Sequence, residues 1–273
     1  MSTLDQIQQP RIATTQTTAV EQARAVAEVA AAVRVAQDNP RNRDRALGEM
    51  RDSCGRLALA NRAFYSVPNR GNGPSVHLAR ELARIWGNVR YGVHELSRND
   101  ETGMSEIRAF AVDLETNVES TRTFQVPHER MKSRRREKLT DLGDVYLNNQ
   151  NIGARAVREC IFTVLPTWFT EEAQDRCNQT LRDGEGEPLP VRIDKMVGAF
   201  RGMDVTEQQL EERLGRKRGQ WDAGTVAQAT VIYTSLQRGE TKVADEFPSE
   251  APALGVTAAD ITAEHAFPVE ADQ

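Results

Sequence analysis

The sequence predicts an α+β fold: a small antiparallel three-stranded sheet packed on a long helix, with helical segments before and after it in the chain. Three observations carry this. First, the apolar period changes to two between residues 89 and 126: Val89, Tyr91 and Val93 alternate with Arg90, Gly92 and His94, and two further runs follow at Ile107–Val112 and Thr121–Val126. Second, the links at 98–103 and 115–118 are short and polar, which suits hairpin connections and leaves no room for a parallel crossover. Third, the flanking stretches repeat their apolar residues at helical spacing.

Composition sets the outer limits. The chain has 273 residues, 39% hydrophobic and 27% charged, enough to bury a sizeable core. Cys54, Cys160 and Cys177 are dispersed and odd in number, which speaks against a disulfide framework or a zinc knuckle and suits a reducing compartment. No run approaches the roughly 18 apolar residues of a membrane span, and Met1 to Pro10 is polar without the apolar centre of a signal peptide. A cytoplasmic protein that does not engage membranes is the expectation. The net charge of −5 divides unevenly: residues 239–273 hold eight acids and one base, a charge of −7, which leaves +2 for residues 1–238.

Each element has its own justification. Residues 19–37 are Ala-rich with Val26, Val29 and Val33, strong helix material with a weak apolar stripe, which suits an oligomer contact. A second helix is predicted over 43–64, and the turn-rich string 68–74 marks the main boundary. Ser75 is placed to cap a helix running to Trp86. After the strands and a basic loop, a long helix is predicted over about 141–165, stopped by Pro166, and another over 167–181. Short helices follow at 191–200, 206–214 and 223–236, the second opened by a Thr206/Gln209 capping box. The expected organisation is a helical N-terminal segment 1–68, an α+β nucleic-acid-binding core 69–183, a small helical module 184–247 and a disordered acidic tail 248–273, with disorder beginning at Phe247.

Two features point to nucleic acid. The string His128–Lys138 contains Arg130, Lys132, Arg134, Arg135, Arg136 and Lys138 in what reads as a loop leaving the third strand. Each phosphate such a loop neutralises releases counterions and adds salt-sensitive affinity; the same composition also fits a merely solvated charge run. On the long helix, Asn148, Asn151, Arg155 and Arg158 share a face, while Ala154, Val157, Ile161 and Val164 form the apolar one. Amides and guanidinium forks at this spacing can line a backbone groove, although an ordinary solvent face would look alike.

Catalytic patterns are sparse. Asp113 and Glu115 form an Asp-x-Glu string resembling the first metal-binding element of DEDD-type exonucleases, so a magnesium-dependent nuclease is the alternative, but no distal carboxylate pair completes it. No phosphate-binding G-x-x-x-x-G-K-[ST] string occurs, which argues against ATP-driven chemistry. The four histidines are scattered and suggest neither a triad nor a metal cluster. Trp86, Trp168, Trp221, Tyr91 and Phe110 all read better as core than as base-stacking residues.

Between Gly73 and Leu181, about 110 of the 273 residues, the chain resembles phage-type single-strand annealing proteins of the RecT and Red-beta class. The residues that carry the likeness are Gly73-Pro-Ser75, Ala83-Arg-Ile-Trp-Gly-Asn88, Asp113-Leu-Glu-Thr-Asn117 and Asn151-Ile-Gly-Ala-Arg155 with Arg158 and Pro166; Ala156 and Val157 depart from the denser basic run expected there. The resemblance implies ATP-independent annealing of complementary single strands of DNA in phage-type recombination, within a bacterial host cell, by a ring or helical filament of subunits. It gives Arg155, Arg158 and the Lys132–Lys138 loop the phosphate backbone and leaves Asp113 and Glu115 structural. No cofactor is required on this reading, magnesium acting at most as a modulator. From the charge asymmetry, the C-terminal module and acidic tail would recruit a host single-strand-binding protein, replication machinery or a phage exonuclease, or compete with DNA for the basic groove. A protein-interaction scaffold without nucleic acid is the third reading.

Overall fold

The computed structural model describes residues 16–68, 71–132 and 135–248. The fold is α+β, a three-stranded antiparallel sheet packed on a long helix with helical segments on both sides in sequence. Helix α1 (Gln16–Asp38) keeps its alanines and valines exposed along most of its length, Ala36 near its end being buried. Helix α2 (Arg43–Cys54), capped by the Asn42 side chain on Arg45 N, and the single turn α3 (Leu57–Ala60) replace the one helix expected over 43–64. The break falls at Gly55, whose N–H bonds back to Arg51 O at 2.9 Å and closes α2.

The turn-rich string 68–74 contributes a strand: β1 (Phe64–Val67) pairs with β2 (Gly71–Pro74). Ser75 then caps α4 (Val76–Trp86) through His77 N and Leu78 N, as its sequence position predicts. The apolar side of α4, with Leu78, Leu82, Ile85 and Trp86, is buried.

Strands β3 (Val89–Asn99), β4 (Met104–Asp113) and β5 (Val118–Pro127) form the predicted meander in the order β3-β4-β5, with the register Val93↔Ala109↔Arg122. A bulge at Leu96 shifts the β3–β4 pairing between Glu95 and Ser97. Beyond β5 a further hairpin, β6 (Glu129–Lys132) with β7 (Arg135–Lys138), occupies the stretch expected as a loop. Helix α5 (Leu142–Val164), capped by Asp141, lies across one face of the sheet and against α4. It comes so close to β3 that a Cβ at Gly153 would sit 2.8 Å from Val93 Cγ1. On the strand side, Ile107, Ala109 and Ala111 are buried beneath it. Helix α6 (Thr167–Asp183) follows the Pro166 break.

The remaining helices are α7 (Leu189–Arg201), α8 (Glu207–Leu214), α9 (Ala223–Gln237) and the short α10 (Val243–Glu246). The Thr206/Gln209 capping box is present in both directions. Phe200 is wholly buried here, with Tyr233 and Phe247 edge-on at 5.4 and 5.6 Å between ring centres. Phe247, expected to begin a disordered tail, is thus a core residue; residues 249–273 lie outside the described part.

The chain packs as two compact units. One comprises Met1–Phe64 and Pro74–Leu181, the other Tyr65–Gly73 and Arg182–Gln273. The division expected near residue 68 therefore falls differently: α2 packs on α4 within the sheet-bearing unit, while the β1–β2 hairpin belongs with the C-terminal helices. Inside that second unit Ser66 N donates to Ser235 Oγ of α9 at 2.9 Å. Among the described residues, no helix is long and apolar enough to cross a membrane.

Candidate nucleic-acid interface

The basic string 128–138 carries six basic residues against two acids, a net charge of +4, and folding it as a hairpin decides which of them are engaged. Arg130 faces Glu137 across the strands at 3.2 Å and reaches Asp144 in the first turn of α5 at 3.6 Å. Arg136 reaches Glu129 at 3.6 Å. Arg135 and Lys138 are exposed and, among the described residues, form no ion pair. Lys132 pairs with Arg135 in the ladder, and Arg134 lies outside the described residues. The exposed pairs are worth little individually, so an incoming polyanion can displace them.

What holds this hairpin is a polar cluster around the buried His128 and Ser105 that the sequence does not announce. His128 N donates to Gly103 O at 2.7 Å, and Leu139 N to His128 O at 2.8 Å, which closes the base of the hairpin on the β3–β4 turn. The buried His128 ring places Nε2 2.8 Å from Ser105 Oγ. Ser105 Oγ in turn donates to Glu95 Oε1 at 2.6 Å, and Asn149 Nδ2 of α5 donates to the same oxygen at 3.3 Å. One residue earlier, Asn148 Nδ2 donates to Pro127 O at 3.2 Å. Hairpin, sheet and the first half of α5 are therefore joined through side-chain bonds, of which the His128–Ser105 contact is buried while Glu95 and the Asn148 bond lie at the surface.

The four residues predicted along α5 are not equivalent. Asn148 is spent on Pro127, while Asn151 and Arg155 are exposed. Arg158 is only 17% exposed in its side chain and bonds Glu159 Oε1 through Nε at 3.0 Å and Nη2 at 2.7 Å. At 1.5 Å per residue, Asn148 and Arg158 stand roughly 15 Å apart along the axis, so the row runs away from the hairpin. Its hairpin end is the half already joined to the basic strands.

Asp113 and Glu115 sit at the opposite end of the sheet, held by Arg41 from the segment between α1 and α2. Arg41 makes a two-pronged bond to Asp113, Nη1 lying 2.7 Å from Oδ2 and Nη2 bonding Oδ1, while its Nε and backbone N both donate to Glu115 Oε2 at 2.9 Å. Asn88 Nδ2 adds a third donor to that oxygen at 3.1 Å, and the guanidinium lies 4.9 Å from the Trp86 ring centre. Burial pushes the Glu115 carboxyl up, but these donors outweigh it and hold it below the ordinary carboxylate range. Asp113 Oδ1 also accepts from Glu115 N and Thr116 N. The Asp-x-Glu string thus serves an ion-paired anchor for the N-terminal helices.

Two aromatic residues depart from the core positions expected of them. Trp168 is 47% exposed, edge-on to Trp86 and Phe169. Phe110 alternates with the buried Ala109 and Ala111 and so lies on the sheet face turned away from α5. His128 has no sequence signal of its own, since a single histidine beside a basic run forms no pattern. No family model matches this chain, and neither a curated protein nor a solved structure shows a significant match to it.

Proposed function

We propose that this protein binds single-stranded DNA and anneals complementary strands without ATP, as an oligomer, in recombination of the phage type. The supporting observation is the β6–β7 hairpin: a +4 stretch, fastened at its base by buried His128, whose exposed Arg135 and Lys138 form no ion pair among the described residues. A self-repelling string ordered in this way is suited to a polyanion. Cations that screen the repulsion between two strands leave base pairing to select the partner strand, so sequence information comes from the nucleic acid itself. Many modest sites joined in an assembly supply avidity that one weakly basic subunit lacks.

The test is the annealing rate of two complementary labelled oligonucleotides, with and without ATP. Nucleotide-independent acceleration is expected, and Arg135→Ala/Lys138→Ala should lose it. In single-strand binding the double variant should also lower the slope of log affinity against log salt by roughly 1.4, at about 0.7 per phosphate contact. Oligonucleotides that stay intact and anneal no faster than without protein would refute the proposal.

A further inference from the structure

The two faces of the three-stranded sheet differ in what covers them. One is closed by α5; on the other, Arg90, His94, Arg108, Thr121 and Thr123 are exposed. Phe110 stands at the centre of that open face, opposite Gly92 on one side and Thr121 on the other. Gly92 shapes the site: a Cβ there would lie 3.1 Å from Phe110 Cε1 and 3.2 Å from Cζ, so the ring rests over bare backbone. The His94 ring stands 4.9 Å from the Phe110 ring, tilted by 45°. Charge on this face is organised around the ring. Arg90 forms no ion pair among the described residues, and Arg108 reaches Glu119 only at 3.7 Å, both groups being about half exposed. The other acid, Glu106, accepts from Ser97 Oγ at 3.4 Å.

We infer that this open sheet face is a stacking platform for unpaired nucleobases, with Phe110 and His94 supplying the ring surface and Arg90 and Arg108 the backbone phosphates. The inference rests on the nucleic-acid reading above and adds where the bases go. A half-buried aromatic ring on an otherwise polar, solvent-facing sheet offers the flat apolar surface that a base prefers to water, whatever its identity. Guanidinium groups in the rows on either side of the ring match the charge of a strand crossing the sheet. Sequence-tolerant stacking is what an annealing protein requires, because it orders a strand without reading it.

The experiment compares an oligothymidylate of about 20 nucleotides, longer than one site of roughly 4–16 nucleotides, with an abasic oligonucleotide of equal length and charge. A 2-aminopurine placed in the first strand reports stacking by fluorescence quenching. The full-length protein should prefer the base-bearing strand by about tenfold. Phe110→Leu, which keeps an apolar cover over Gly92, should collapse that preference to within about twofold while leaving abasic affinity and its salt slope unchanged, since those read phosphates alone. Phe110→Trp should retain both preference and quenching, which guards against reading misfolding as loss of a platform. Preference and quenching that survive Phe110→Leu would overturn the inference, as would a Phe110→Leu protein that changes only its oligomeric size, the signature of a protein interface. Equal wild-type affinity for the two strands would remove the platform and leave the phosphate-binding hairpin standing; no affinity for either would remove both.

Discussion

Two charged clusters at opposite ends of the sheet use the same residue types to opposite ends. Around Arg41, the guanidinium and Asp113 are almost wholly buried, and every prong of the fork meets a carboxylate. On the β6–β7 hairpin Arg130, Arg135, Arg136 and Lys138 stand in solvent, Arg130 and Arg136 facing carboxylates at 3.2 to 3.6 Å and the other two facing none among the described residues. In sequence the basic run pointed to phosphates, with a solvated charge run as its plain alternative, and the Asp-x-Glu string offered only an incomplete metal element. Burial separates the two: a charge whose hydrogen bonds are all satisfied inside the protein has little left for a ligand, whereas an exposed, self-repelling cluster still gains from one.

The largest effect should come from breaking the buried cluster. Arg41→Met leaves Asp113 and Glu115 without their countercharge and is expected to cost about 3–5 kcal/mol in urea unfolding of the full chain. If the loss is under 1 kcal/mol, water reaches the carboxylates and the cluster is no anchor. Next comes the residue at the base of the hairpin. His128→Leu takes the imidazole partner from the buried Ser105 hydroxyl and should cost about 1–3 kcal/mol. It should also weaken single-strand binding, because the hairpin loses its side-chain tie to Ser105; a variant with full affinity would show that the backbone bonds at its base position it alone.

A smaller effect is expected from acid. The Glu115 carboxyl is held low in the folded protein, so its contribution is complete above the ordinary carboxylate range and is lost as pH falls through its lowered value. Stability measured on descending pH should therefore drop more steeply in the wild type than in Arg41→Met, and parallel curves would mean that Arg41 is not the cause. The smallest effect on stability belongs to the hairpin: Arg135→Ala/Lys138→Ala should stay within about 0.5 kcal/mol of the wild type while changing the salt slope of binding. A large loss of stability there would erase the contrast between the clusters.

The sheet, the long helix and most helix starts were legible because local chemistry sets them. Alternation marked β3 to β5, and Ser75, Asp141 and Thr206 sat where caps belong. The β6–β7 and β1–β2 hairpins were not legible, since charge repulsion masks strand periodicity in the first and a Gly/Pro-rich string reads as a plain turn in the second. The candidate site was legible as a basic run and as a helix row, yet the division of labour within it was hidden. Arg158 is occupied by its neighbour Glu159, and Arg41 reaches across 72 residues to Asp113; pairings of that kind follow from tertiary packing, for which one chain offers no local signal. The exposure of Phe110 and Trp168 was hidden for the same reason.

The β1–β2 hairpin also imposes an order in time. Its strands leave the ribosome well before Ser235, whose hydroxyl Ser66 N will bond 169 residues further along. At roughly 5–20 residues per second, synthesis keeps that hairpin waiting for about 10–30 s, threaded between two stretches of the sheet-bearing unit that are already free to assemble. Closing so long a loop is slow, and in the interval the backbone N–H of Ser66 and the inner side of the helices to come have only water or a chaperone for company. Completion of the C-terminal unit is thus the late event in the birth of this protein, and truncation anywhere before α9 would leave the hairpin permanently unpartnered at Ser66.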